Sequence, residues 1–121
     1  MSYIPARKYL KVWQGADFHY RFQWKVKVGQ TLTVQDLSEW TARWTVTPIE
    51  EETPWRTFIF PSEALNGVFL NGSTGFVDLI LKRELVETIP WKQATFELVV
   101  FDPIAKEEPP LLAGRLTLMT L

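Results

Sequence analysis

Polar and apolar residues alternate without a fault through DFHYRFQWKVKV, from Asp17 to Val28. A period of two places Phe18, Tyr20, Phe22, Trp24, Val26 and Val28 on one face of a strand, with Trp24 the largest residue expected inside. It places Asp17, His19, Arg21, Gln23, Lys25 and Lys27 on the other. Short alternating runs recur along the whole chain. Leu10 and Val12 share one side of a first strand over Lys8 to Trp13, which Gly15 ends. Gly29-Gln30 allows a turn, and Thr31 to Leu37 returns partway. Trp40, Ala42, Trp44 and Val46 alternate with threonine and arginine until Pro48, and Arg56 to Phe60 is a weaker strand closed by Pro61. Phe76 to Lys82, Ala94 to Asp102 and Leu111 to Leu121 complete the series.

Strands of this length, punctuated by Gly, Pro, Asn and Asp at roughly 8–12-residue spacing, suit a sandwich. The pattern predicts one all-β domain over residues 1–121. It is expected to be an immunoglobulin-like antiparallel β-sandwich of about seven to eight strands with at most one or two short helical turns. Ser62 is a possible cap for one such turn, and Arg83 to Thr88 could form another. Val68-Phe69-Leu70, between the pairs Asn66-Gly67 and Asn71-Gly72, is expected as loop.

Composition fits this picture. Six Trp, eight Phe and three Tyr in 121 residues supply bulk for a core and favour pleated, half-buried surfaces over helices. No cysteine is present, so neither disulfides nor thiolate zinc sites can form. The opening MSYIPARKYLKVWQG lacks the apolar run of a signal peptide. No window reaches the ~18 consecutive apolar residues of a membrane span. Thirteen basic and 14 acidic residues leave a net charge of −1. That balance argues against a nucleic-acid binder, which needs a clustered basic excess to displace counterions from phosphates.

The candidate chemistry is thin. The lone histidine, His19, sits mid-strand among cationic neighbours, and only Asp17 is locally placed to orient it. Glu50-Glu51-Glu52 and Glu107-Glu108 lie beside prolines in expected loops, where hydrated carboxylates keep no proton for general-acid work. Asn71 to Gly75 contains glycine but has no Walker lysine and no following helix; its Asn-Gly-Ser sequon is better explained as a turn. No run of alternating Asp or Asn resembles a calcium loop. The residues point to no enzyme, no catalytic or cofactor-binding side chains and no metal site. Trp13, Trp55 and Trp91 remain conceivable stacking platforms for a glycan.

A surplus of apolar side chains is the more informative feature. Phe76 and Ile80 oppose Val77, Leu79 and Leu81. Val99 and Phe101 oppose Phe96, Leu98 and Val100, and Met119 shares parity with Arg115 and Thr117. A sandwich needs one inner face per sheet, so the outward set must be covered by a loop or by a partner. Val68, Phe69 and Leu70 raise the same question, and Val68→Asp or Phe69→Asp is expected to weaken assembly more than folding. On the odd face of the long alternating strand, otherwise solvated, Arg21 is the residue placed to make a polar contact with a neighbouring subunit.

With the strands placed, an ordered series of short motifs resembles the small β-sandwich domains of tailed-bacteriophage tail and baseplate proteins, of the minor-tail and upper-baseplate amino-terminal type. The motifs are Gly15-Ala16-Asp17-Phe18, Asp36-Leu37-Ser38-Glu39-Trp40-Thr41 followed by Ala42-Arg43-Trp44, Gly75-Phe76-Val77-Asp78-Leu79, Leu85 to Ile89 with Thr88, Ala94-Thr95-Phe96-Glu97-Leu98, and Leu111-Leu112-Ala113-Gly114-Arg115-Leu116. Glu39 stands where the resembled turn has glycine, and the Pro61 to Gly75 segment is longer than usual. The resemblance implies a virion structural protein without cofactors, assembled in the host cytoplasm with other virion proteins in repeated symmetric copies. A head decoration or head–tail joining protein is the alternative within that class. A carbohydrate-binding module is the alternative outside it.

Overall fold

A computed structural model describes residues 6–120; the side chain of Val28 and residue Leu121 lie outside the described residues. Among the described residues ten strands follow one another: β1 (Ala6–Trp13), β2 (Phe18–Gln23), β3 (Lys25–Val28), β4 (Thr31–Val34), β5 (Thr41–Pro48), β6 (Arg56–Phe60), β7 (Gly67–Asn71), β8 (Phe76–Leu81), β9 (Gln93–Phe101) and β10 (Pro110–Met119). A 3-10 turn at Gly72–Thr74 and a one-turn helix α1 (Arg83–Val86) are the helical segments among the described residues.

Eight of the strands build the sandwich. One sheet runs β1-β10-β9-β5-β6 and the other β2-β8-β7. In immunoglobulin terms these are the strands G, F, C and C′, joined by an N-terminal strand, facing B, E and D. The fold is immunoglobulin-like, as the alternation predicts, with one parallel pair: β1 runs alongside β10, Ala6 opposite Leu112 through Trp13 opposite Met119. Gly114 permits that approach, because a Cβ there would lie 1.8 Å from the Lys8 carbonyl oxygen.

The inner faces meet where period two requires. Trp44 is fully buried, with Phe18 (centroids 6.5 Å) and Phe58 (5.1 Å) against it. Val12, Val46, Val77, Leu79, Leu81, Phe96, Leu98, Val100, Leu112 and Leu116 complete the layer. Trp91 and Val86 close the end near α1.

Three expectations change. First, Asp17 to Val28 is not one strand. It breaks at Trp24, whose N–H donates to the Gly75 carbonyl (2.8 Å) and whose carbonyl accepts from Gln35 N–H (2.9 Å). Beyond the break, β3 and β4 form a separate hairpin, and Trp24 is half-buried, edge-on to Trp40 at 5.4 Å. Trp44, not Trp24, is the largest fully buried residue. Second, Val68 to Leu70 is strand rather than loop: β7 pairs with β8, and Val68 and Leu70 face the core at 2% and 8% exposure. Third, Ser62 caps no helix; its Oγ accepts the Ala64 N–H within a bend.

Candidate interaction surfaces

The outer face of the three-stranded sheet collects the odd-numbered residues of β2 and the even-numbered residues of β8. Register sets His19 opposite Ile80, Arg21 opposite Asp78 and Gln23 opposite Phe76, with Phe69 of β7 on the far side of Asp78. Asp78 is 9% exposed at the centre of this face. Its Oδ1 accepts from His19 Nε2 at 2.6 Å and from Arg21 Nε at 3.0 Å. The Arg21 guanidinium also lies 4.3 Å from the Phe76 ring centroid, a cation–π contact. The orienting carboxylate for His19 is therefore Asp78, 59 residues away, not Asp17. Asp17 serves elsewhere: its Oδ1 accepts the Arg83 N–H at 2.7 Å, satisfying a free donor at the start of α1.

This cluster explains why a cationic strand face tolerates apolar neighbours. Arg21 covers Phe76, Asp78 offsets Arg21, and Phe69 and Ile80 flank the pair half-buried. The face thus combines the ion pairs centred on Asp78 with the partly accessible side chains of Phe69, Phe76 and Ile80.

The five-stranded sheet turns a second face outward. Arg43 sits between Val99 and Ile59, and Thr41 lies opposite Phe101. With Glu108 these residues line a shallow depression of about 170 Å³. Val99 and Phe101 are half-buried, whereas Ile59 is 59% exposed. At the other end of this face Met119 is half-buried opposite Trp13, and Tyr9 lies on the same strand under Arg115. Of the outward candidates, Phe69, Phe76, Ile80, Val99, Phe101 and Met119 thus stay partly accessible. Val68 and Leu70 are corrected to core residues, because the odd–even alternation of β7 aims them inward.

The aromatic candidates separate as clearly. Trp91 is 6% exposed, and half-buried Trp55 stands edge-on to it at 5.5 Å. Trp13 alone of the three offers a well-exposed ring, at 43%. An open depression of about 710 Å³ lies where Gly15 to Asp17, Leu65-Asn66 and Lys82 to Glu84 meet. Its charges are of both signs, and Asp17 and Lys82 stand 3.9 Å apart within it. No group of three His, Asp or Glu side chains that could hold a metal occurs among the described residues. No helix among them is long and apolar enough to cross a membrane.

The turn before β5 completes the geometry. The Asp36 carboxylate accepts the Ser38 N–H at 2.8 Å, and hydrogen bonds from the Ser38 side chain and backbone hold its pKa below the ordinary aspartate value. Leu37 is buried at 1%, and Glu39 adopts a left-handed backbone at φ 69°. Compared with protein-family models and with curated proteins, the chain matches none.

Proposed function

We propose that the chain is a structural component of a tailed-bacteriophage virion, a minor tail, tail-tip or baseplate protein acting as an assembly scaffold or adaptor. Its partners are other virion proteins, met in repeated symmetric copies. The observation that carries this reading is the backbone at Glu39. The resembled turn has glycine at that place, and glycine is the residue that occupies positive φ without penalty. Here the residue is glutamate, yet φ is 69°, so the turn geometry that favours glycine persists although the side chain differs. The glycine of the Leu-Leu-x-Gly motif, Gly114, is likewise required by the close passage of β1. The outward apolar and aromatic residues of both sheets supply contact surface for neighbours.

Quantitative mass spectrometry of gradient-purified particles tests the proposal: the chain is expected in stoichiometric multiples with the tail proteins. Its absence from intact particles would overturn the reading. A head decoration or joining role gives the same mass-spectrometric result and differs in position within the particle. The carbohydrate-binding alternative now rests on Trp13, since Trp91 is buried and Trp55 leans against it. A glycan array that binds the protein, with binding lost on Trp13→Ala, would favour that alternative.

A further inference from the structure

The β3–β4 hairpin stands apart from the sandwich as its own two-stranded sheet. Such a hairpin is marginal in water unless something packs on it. Its register puts Lys25 opposite Val34 and Lys27 opposite Leu32, so these four side chains share one face. Val34 lies against Gly75 at the base, while Lys25, Lys27 and Leu32 are exposed, Leu32 at 67%. Residues 25–34 contain no acidic side chain, and neither lysine makes an ion pair among the described residues. Asp36, just beyond the hairpin, is engaged by Ser38.

A matching patch lies at the far end of the molecule. The β5–β6 turn presents Ile49, 43% exposed, followed by the exposed Glu50, Glu51 and Glu52. None of the three glutamates forms an ion pair among the described residues, and Arg56 nearby stacks on Trp55 instead. The hairpin joins the sandwich beside Trp40, where β5 begins, whereas the acidic turn leaves Pro48, where β5 ends. Eight residues of strand, about 25 Å at roughly 3.4 Å per residue, separate them. The two patches are complementary in both respects: an exposed aliphatic side chain beside cations on one, an exposed aliphatic side chain beside anions on the other.

We infer that the β3–β4 hairpin of one copy docks on the Ile49–Glu52 turn of the next, giving a head-to-tail contact between copies of this chain. The contact rests on, and deepens, the reading of the chain as a repeated virion component. Because its two halves are different surfaces, it is heterologous and propagates into a ring or an open row. Leu32 and Ile49 would exclude water at its centre, and the lysines and glutamates would set the register.

Sedimentation velocity of the purified chain, at low and high salt, is the test. Concentration-dependent association is expected, weakening as salt screens the pairs. Lys25→Glu with Lys27→Glu, and separately Glu50→Lys, Glu51→Lys with Glu52→Lys, should each weaken self-association by at least about 10-fold. Mixing the two variants should restore it, because the reversed hairpin then meets the reversed turn and the unaltered hairpin meets the unaltered turn. Thermal midpoints equal to wild type would confirm that these exposed changes leave the fold intact. A wild-type chain monomeric at every concentration, or association indifferent to both reversals, would overturn the contact. Either result leaves the virion reading standing if the chain is found in particles, so the two fail separately.

Discussion

Replacing Gly114 by alanine should release the first strand. A Cβ at this position would meet the Lys8 carbonyl oxygen at 1.8 Å, its carbonyl carbon at 2.8 Å and its nitrogen at 3.0 Å. All three are backbone atoms, so no side-chain rotation relieves the collision. β1 must move outward by about 1.5 Å or more to reach an ordinary carbon–oxygen contact of about 3.3–3.6 Å, and the parallel ladder to β10 cannot survive that. Losing β1 exposes Val12, now fully buried, and part of Leu10. Burial of one such side chain contributes about 1.5–3 kcal/mol. The ladder hydrogen bonds add about 1 kcal/mol each, offset by the entropy regained when the strand is freed. The expected net loss is about 3 kcal/mol, a fall in thermal midpoint of roughly 10–15 °C for a domain of this size. Circular dichroism melting measures the first, and limited trypsin digestion should show early cleavage at Lys8 and Lys11. Gly29→Ala is the control: Gly29 has positive φ but nothing within 4 Å of where an added methyl carbon would stand, so about 1 kcal/mol of backbone strain is all it should cost. A Gly114→Ala protein within about 0.5 kcal/mol of wild type, or one no worse than Gly29→Ala, would refute the reasoning.

Val68→Asp should unfold the domain, because it places a carboxylate in a core position 2% exposed; Phe69→Asp, on the outer face of the same strand, should be milder, and equal melting temperatures would contradict the assignment of faces. Trp44→Ala should cost about 3–5 kcal/mol, whereas Trp44→Phe should cost clearly less because the Trp44 Nε1 has no hydrogen-bond partner to lose. Asp78→Asn keeps the shape but removes the charge shared by His19 and Arg21, and denaturant titration should show a loss of about 1–2 kcal/mol. Asp36 has its folded pKa lowered from 3.8, so its stabilisation is present above that value and is lost as pH falls through and below it. The gap in thermal midpoint between wild type and Asp36→Ala should accordingly narrow as pH falls through and below 3.8; a gap that widens on acidification would reverse the sign.

Most of the sandwich is legible in the chain because one face of each strand is buried and period two records it. Trp44, Phe96, Leu98 and Leu116 are where alternation places them. The misreadings have physical causes. β7 is only five residues long and bracketed by two Asn-Gly pairs, so turn chemistry outweighs its short alternation, and only its pairing with β8 makes it a strand. Alternation likewise runs on through Trp24, while the backbone bonds of that residue are taken by Gln35, beyond the next hairpin, and by Gly75, far along the chain. Asp78 lies among apolar residues in FVDLIL and gives no local sign that it will sit between His19 and Arg21. That link depends on register between strands 59 residues apart, and register is a tertiary property. The β3–β4 hairpin needs the same knowledge: its lysines look like the tail of a sheet face until the break at Trp24 is seen.

A reconstruction of the intact tail by electron cryomicroscopy tests the proposed role. Density for this eight-stranded sandwich is expected at the tail tip or baseplate, in symmetric copies, with each β3–β4 hairpin reaching the β5–β6 turn of its neighbour. Particles whose tails are fully accounted for by other proteins would contradict it.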